Sequence, residues 1–295
     1  QNLKIEKLFE NIENFWYFPS EKNLILLEKN EEGWSLKLYE IEKKLITHLV
    51  SERDFGKTAE ILNLSFNENQ KGIHLKLKIG EKTKNFLLSL EKIPPLVKEI
   101  ITPPQEFIVV KFFNKDQYYL DQSGHLFKNQ ERLSEIPLKI EKEKKYSLKI
   151  FPDFIFLKQG EDFYQFDFDS KSFKKIFNNF KNFKISPDLK KLAFFSNSEI
   201  WLFYLEDQKI PPYHSKGEKI FLLRVSEKIG DLFWLNPDYL IFNSGNLIKI
   251  VEIDDRDKIN IFDILSLENS KIFFSQEEKR IYILRLREIY LSQTL

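Results

Sequence analysis

Lys184 to Asp207, KISPDLKKLAFFSNSEIWLFYLED, constrains the fold of this chain more than any other stretch. It sets three short apolar runs between polar turns so close together that no helix of ordinary length fits between them. Pro187 presets φ for the first corner of a type I turn and Asp188 bonds back to nearby backbone N–H groups, so Ser186-Pro187-Asp188 reverses the chain. Leu192 to Phe195 is apolar without a break, as in a strand buried on both faces. Asn197-Ser198 makes a second turn, and Ile200 to Leu205 is a third strand rich in aromatic and aliphatic β-formers. The span reads as most of one four-stranded antiparallel blade.

Weaker copies of this pattern run from end to end. Pro19-Ser20, Pro152-Asp153, Pro187-Asp188 and Pro237-Asp238 each follow one apolar strand and precede another, and the third strands after them read SLKLYEI, FYQFDF, IWLFYL and LIKIVEI. Turn residues recur about every eight to twelve positions, the spacing of short strands. Only Ala59 and Ala193 represent the best helix former. At roughly 40 to 45 residues per blade, 295 residues accommodate six to eight blades, and seven fit best. The expectation is an all-β, seven-bladed β-propeller of four-stranded antiparallel blades, a single domain over 1–295.

The last blade has three strands, Lys271 to Ser275, Arg280 to Leu284 and Glu288 to Leu291, while Gln1 to Phe9 is one apolar strand too many at the other end. The economical solution is a ring closed by the N-terminal strand as the outer strand of the last blade, which removes a frayed edge.

SPDLKKLAFFSNSEIWLFYLE resembles the Ser-Pro-Asp-Gly-Lys repeat of TolB-like propellers over one blade, with Leu189 where that family usually has glycine. In general texture the chain is similar to the WD40-like propeller that follows PEGA domains in envelope proteins of small-genome bacteria. These resemblances imply a propeller with protein partners, located outside the cytoplasm or at the bacterial cell envelope.

Composition narrows the remaining classes. Lys and Arg total 46 against 45 acidic residues, so the chain has no overall basic excess with which to neutralise phosphates, and no nucleic-acid partner is expected. The acid-free run Lys171 to Lys184, KSFKKIFNNFKNFK, has the lysine–aromatic mixture of a single-strand groove, but equally that of a strand with lysines outward and Phe inward. Lys139 to Lys145, KIEKEKK, reads as a solvated strand edge. With no cysteine, disulfides, thiolate metal sites and thiol nucleophiles are excluded. No apolar run reaches the roughly 18 residues of a membrane span. No methionine occurs, even at position 1, so Gln1 is expected to follow a lost signal peptide, anchor or further domain.

Catalytic and metal signatures are weak. Asp153, Asp188 and Asp238 occupy equivalent corners of different blades and read as turn formers. His48, His74, His125 and His214 are scattered without ligand spacing. Asp254-Asp255-Arg256-Asp257 lacks the glycine and spaced oxygens of a calcium loop. No nucleophile elbow or glycine-rich phosphate loop occurs, and no cofactor is implied. Trp16, Tyr17, Phe233 and Trp234 fall on first strands of their blades, with Trp34 and Trp201 on third strands, all read mainly as packing. The longest departure from the repeat is Glu206 to Lys219, EDQKIPPYHSKGEK, where Pro211 and Pro212 stiffen a tip carrying Tyr213 and His214 as candidate partner contacts. The sequence thus favours a non-enzymatic protein-binding or scaffolding module. The alternative is a hydrolase or lyase built from loops at the propeller channel mouth.

Overall fold

The computed structural model describes residues 3–18, 23–56, 58–67, 72–100, 107–113 and 116–295. Strand β1 (Ile5–Phe9) leads into blade one, formed by β2 (Ile12–Phe18), β3 (Asn23–Asn30), β4 (Gly33–Glu40) and β5 (Leu45–Ser51). Blade two is β6 (Ala59–Asn67), β7 (Gly72–Ile79), β8 (Lys82–Ser89) and β9 (Leu96–Ile100). Blade three is β10 (Phe107–Phe113), β11 (Asp116–Asp121), β12 (Leu126–Lys128) and β13 (Glu131–Arg132). Blade four is β14 (Tyr146–Ile150), β15 (Ile155–Gln159), β16 (Asp162–Asp167) and β17 (Ser172–Phe177). Blade five is β18 (Asn182–Ile185), β19 (Lys191–Phe195), β20 (Glu199–Tyr204) and β21 (Lys219–Arg224). Blade six is β22 (Ile229–Asn236), β23 (Tyr239–Ser244), β24 (Leu247–Glu252) and β25 (Ile261–Ser266). Blade seven takes β26 (Lys271–Ser275), β27 (Arg280–Arg285) and β28 (Glu288–Ser292). The chain is all-β, in seven blades of four antiparallel strands. Among the described residues the one helical element is a 3-10 turn at Glu52–Asp54.

β1 is the fourth strand of blade seven, pairing antiparallel with β28 from Ile5–Ser292 to Phe9–Ile289. The two ends of the chain therefore share one sheet, as the count of strands requires. Leu3 is buried beside it and donates its N–H to the Ile264 carbonyl at 3.0 Å.

The contacts gather into two compact units, one holding Gln1–Thr102 with Gly230–Leu295 and the other Pro103–Ile229. In the first, Phe18, Ile25 and Leu36 of blade one pack against Leu75, Leu77 and Leu88 of blade two. Phe15, Leu24 and Leu26 meet Tyr282 and Ile289 of blade seven, and Ile241 and Ile248 of blade six meet Ile272 and Ile283. In the second, Leu120 and Leu126 of blade three pack on Leu148 and Leu157 of blade four. On blade four's other side, Phe156 and Phe163 pack with Leu192, Phe194 and Phe203 of blade five. Burial of each such aliphatic or aromatic side chain stabilises by about 1.5–3 kcal/mol.

Most blades carry a one-residue β-bulge, which sharpens the twist of the strand that contains it. Between third and fourth strands the extra residue is Leu49, Ile176, Leu222 or Ile264 in blades one, four, five and six. Between first and second strands it is Glu13, Leu62 or Ile108 in blades one to three.

Two expectations change. Blade three's outer strand, expected from Arg132 to Ile136, stops at Arg132: Leu133 and Ser134 N–H both turn in to the Leu126 carbonyl, and Glu135 N–H goes to Lys171 O at 2.9 Å. The chain leaves the sheet for blade four, and KIEKEKK follows in that connection outside any strand. Gly124 sits where this connection passes, with φ +89 and a Cβ position only 1.9 Å from the Leu138 carbonyl oxygen, so only glycine fits. The Pro19-Ser20 corner and Ile101, the expected end of blade two, lie outside the described residues.

Removing residues 1–9 takes away the β1 ladder and the buried Leu3. It is expected to cost about 3–5 kcal/mol and to lower the melting temperature by roughly 10 °C. An unchanged thermal unfolding curve would contradict the role assigned to β1.

Candidate functional site

The corner that gives the sequence its repeat is held by a dense local network. Leu189 N–H donates to the Ser186 carbonyl at 2.9 Å, closing the turn, and Ser186 N–H donates to Lys191 O at 2.8 Å. The Ser186 hydroxyl donates to Asp188 Oδ1 and accepts the Lys191 N–H at 2.9 Å, while Lys190 N–H reaches Asp188 Oδ1 at 3.2 Å. Lys191 Nζ lies 3.3 Å from Asp188 Oδ2. Burial pushes the Asp188 carboxyl up, but the Ser186 and Lys190 hydrogen bonds and the Lys191 charge outweigh it and hold the group below its ordinary value. Asp188 is a turn former, as its position implied. Leu189 takes φ +62, the left-handed conformation that favours glycine, and is 70% exposed.

The corner leads to the root of the long loop, since Leu205 N–H donates to Lys190 O at 2.8 Å. Between β20 and β21 the chain folds into a small hairpin of its own. Gln208 N–H bonds His214 O at 2.8 Å, Gly217 N–H bonds Tyr204 O at 2.8 Å and Lys216 N–H bonds Asp207 Oδ1 at 2.8 Å. Glu218 accepts Ser215 N–H at 2.8 Å, which, followed by His214, keeps its carboxyl below the usual range. Lys216 Nζ rests over the Phe154 ring at 5.1 Å.

The four sequence-selected tip residues separate into two roles. The Pro211–Pro212 bond is cis, with Pro211 exposed and Pro212 half-buried. Tyr213 is 71% exposed, and so is Ile210 just before the prolines. His214 turns inward instead, stacking on Tyr204 with ring centroids 4.3 Å apart and its Nδ1 3.4 Å from Glu218 Oε2. It braces the loop. Ile210 was missed because a lone Ile beside a Lys reads as ordinary loop filler, and only the hairpin geometry places it at the apex.

A cleft of about 550 Å³ opens between blades four and five, from the end of β17 to the β19–β20 turn. Phe177 and Trp201, with ring centroids 5.5 Å apart, form its apolar wall. Lys219 Nζ lies 5.2 Å from the Trp201 centroid and donates to the Ile176 carbonyl at 2.9 Å. Glu199 accepts the Trp201 indole N–H at 3.0 Å and Arg224 Nε at 3.0 Å. Arg224 first, then Trp201, holds that carboxyl below its usual value. The run KSFKKIFNNFKNFK supplies Lys175 to Asn179 of the lining, but no motif links it to the other two segments, at 196–201 and 219.

The other candidates resolve into packing and surface pairing. Four lysines of KSFKKIFNNFKNFK meet acids: Lys171 pairs with Glu135 at 2.7 Å, Lys174 with Asp167, Lys175 with Asp162 at 3.0 Å and Lys181 with Glu161 at 3.5 Å, while Phe180 is buried. Asp167 is thereby lowered to about 2. Arg256 closes on Asp254 and lowers it to about 2, so the cluster's arginine is spent within it. His125 Nδ1 meets Ser134 Oγ at 3.2 Å, His74 is half-buried with its pKa pushed down by that burial, and His48 is exposed. Among the described residues no group of three His, Cys, Asp or Glu side chains is placed to hold a metal. Trp234 is buried, Tyr17 stacks on Phe273 at 4.4 Å, Trp34 donates its indole N–H to Ala59 O at 2.5 Å, and Trp16 lies under the Lys271 ammonium at 5.7 Å. Among the described residues no helix is long and apolar enough to cross a membrane.

Comparison with solved structures now gives the fold its name. YCF48 from Cyanidioschyzon merolae matches 100% of this chain and 99% of its own with a TM-score of 0.59 at 10% identity. The β-propeller domain of Cps50 (Swd1) from Myceliophteria thermophila matches 97% of this chain and 100% of its own, with a TM-score of 0.56 at 11% identity. YCF48 bound to D1 peptide matches 100% and 96%, with a TM-score of 0.55 at 14% identity. The fold is a β-propeller. No protein-family model matches the sequence, and no curated protein is significantly similar to it.

Two substitutions test the propeller corner. Leu189→Gly relieves the left-handed strain and is expected to raise stability by about 0.5–1 kcal/mol in urea unfolding, against the cost of added chain freedom. A loss of stability would contradict the strain. Asp188 is held below its unfolded value, so its contribution is complete above about pH 4 and is lost as pH falls through the lower folded value. Asp188→Asn is therefore expected to be less stable by about 1 kcal/mol at pH 7, with the gap to the parent protein narrowing below about pH 4. A gap that widens in acid would contradict this assignment.

Proposed function

We propose that this protein is a non-enzymatic β-propeller that docks a protein partner on the β20–β21 loop of blade five, through Pro211, Pro212 and Tyr213 together with Ile210. His214 acts from beneath as the brace of that loop. The observation that carries the reading is the pair Ile210 and Tyr213. Both large apolar side chains stand 71% exposed on a hairpin whose backbone is already tied down by Gln208–His214, Tyr204–Gly217 and Asp207–Lys216 hydrogen bonds. A preorganised loop loses little conformational freedom on binding, and Tyr brings a large contact area at low entropic cost. Leu189, exposed at the corner beside the loop root, extends the apolar surface along the same end of the blade.

Two further points support the reading. A propeller of the same fold, YCF48, is seen with a peptide, D1, bound to it. The Ser186-Pro187-Asp188 corner resembles the repeat of TolB-like propellers, which supports a setting outside the cytoplasm or at the bacterial envelope. The ionisable clusters of blades four and five are spent on ion pairs and turns, which favours binding over catalysis.

A photo-crosslinking residue placed at position 213 of the full chain is expected to trap a specific protein in cells of the source organism. An Ile210→Ser, Leu189→Ser double variant carrying the same label is expected to trap at least tenfold less, the loss of about 1.5 kcal/mol of contact. Equal capture by the two proteins would remove the loop from the function.

A further inference from the structure

The cleft beside Trp201 is separate from the loop apex, and its lining has a chemistry of its own. It opens beside the bulge at Ile176. Phe177 pairs with Phe163 and Lys175 with Tyr164, so Ile176 has no opposite number on β16. Its carbonyl is taken by Lys219 Nζ at 2.9 Å from blade five. That bond ties the lip of blade four to β21 and leaves a space of about 550 Å³ above it. The volume falls within the range of about 300–1,000 Å³ usual for small-molecule sites.

Three asparagines, Asn178, Asn179 and Asn197, line this space from two different turns, and the Ser196-Asn197-Ser198 turn adds hydroxyls. The three amides make no hydrogen bond with other described residues, although each offers two N–H donors and one carbonyl acceptor. Turn formation accounts for Asn179, which takes φ +56, a conformation asparagine tolerates. All three are exposed lining residues of one cleft, so their amides are left to bond with what enters it. Ser196 Oγ is committed to its own turn, accepting Glu199 N–H at 3.1 Å.

Charge is largely neutralised around the cleft. Glu199 is answered by Arg224, and Lys175 by Asp162 at 3.0 Å. Lys219 lies against both aromatic rings, 5.2 Å from Trp201 and 5.9 Å from Phe177, with one of its donors on Ile176 O. A phosphorylated or strongly anionic ligand would find one partly engaged ammonium. A lipid chain would find mostly amides and hydroxyls. What suits free amides beside an indole and a phenyl wall is a ligand with many neutral hydroxyls and an apolar C–H face. We propose that this cleft is a binding site for a neutral carbohydrate, with Asn178 and Asn197 bonding the hydroxyls and the Phe177–Trp201 wall meeting the C–H face of a sugar ring.

The test uses the purified full chain and calorimetric titration with cellohexaose, chitohexaose, maltohexaose and mannohexaose, and a heparin hexasaccharide as the anionic arm. At least one neutral oligosaccharide is expected to bind with a Kd of about 1 mM or tighter. Asn178→Ala and Asn197→Ala, at exposed positions without partners, are expected to keep the parent melting temperature and each weaken binding about fivefold or more, the loss of one hydrogen bond. Tyr213→Ser is expected to leave sugar binding unchanged, which separates this site from the partner loop. The proposal falls if no neutral member binds at about 10 mM, if only the heparin fragment binds, or if both Asn variants bind as the parent does.

Discussion

The structure depends on sheets that are apolar on both faces. In β19 every side chain from Lys191 to Phe195 is buried, so blade five needs cover on each side, and the same holds for Ile155 to Leu157 in blade four. Antiparallel sheets ordinarily keep one face in water. Within each compact unit neighbouring blades cover one another, and an isolated blade would leave Phe156, Phe163, Phe194 and Phe203 in solvent. The pairing of β1 with β28 answers the same demand at the chain's ends, where a missing outer strand would expose Tyr290 and an unpaired edge.

That demand explains where variation is allowed. Strand interiors are fixed by their neighbours, whereas turns face solvent and carry what is particular to this protein. Blade five has the most uniformly buried second strand and the longest insertion, and both candidate surfaces draw on it. Its corner, Ser186 to Lys191, is braced by an ion pair and five hydrogen bonds within six residues. The loop is rooted on that corner through Lys190. The cleft opens beside a different device, the bulge at Ile176, whose carbonyl accepts from Lys219 of blade five. Blade five thus carries a hydrophobic apex and one wall of an amide-lined hollow that it shares with blade four.

Much of the fold was legible because its signals are local. The apolar runs at Ile25, Leu75, Leu192 and Ile241, and the Pro-Asp corners, report strand and turn within a few residues, and the leftover strand at Ile5 follows from counting. Blade three's outer strand was misread because Leu133 and Ile136 continue the short apolar-and-polar mixture of a strand past Arg132. What ends it is the Lys171 carbonyl of the neighbouring blade, which the local sequence does not reveal. His214 was misplaced on the tip for a similar reason: its burial is decided by stacking on Tyr204, ten residues away in sequence and adjacent only across the hairpin.

Alternation, turn chemistry and strand count were written into the amino-acid order, since each acts over a handful of neighbouring residues. That order alone set the all-β class, the seven blades and the joining of the two ends in one sheet. Which side chains converge was decided only by folding. Asn178 and Asn197 come to line one cleft, and Ile210 rises to an apex while His214 sinks beneath it, because hydrogen bonds and bulges between distant segments fix those positions.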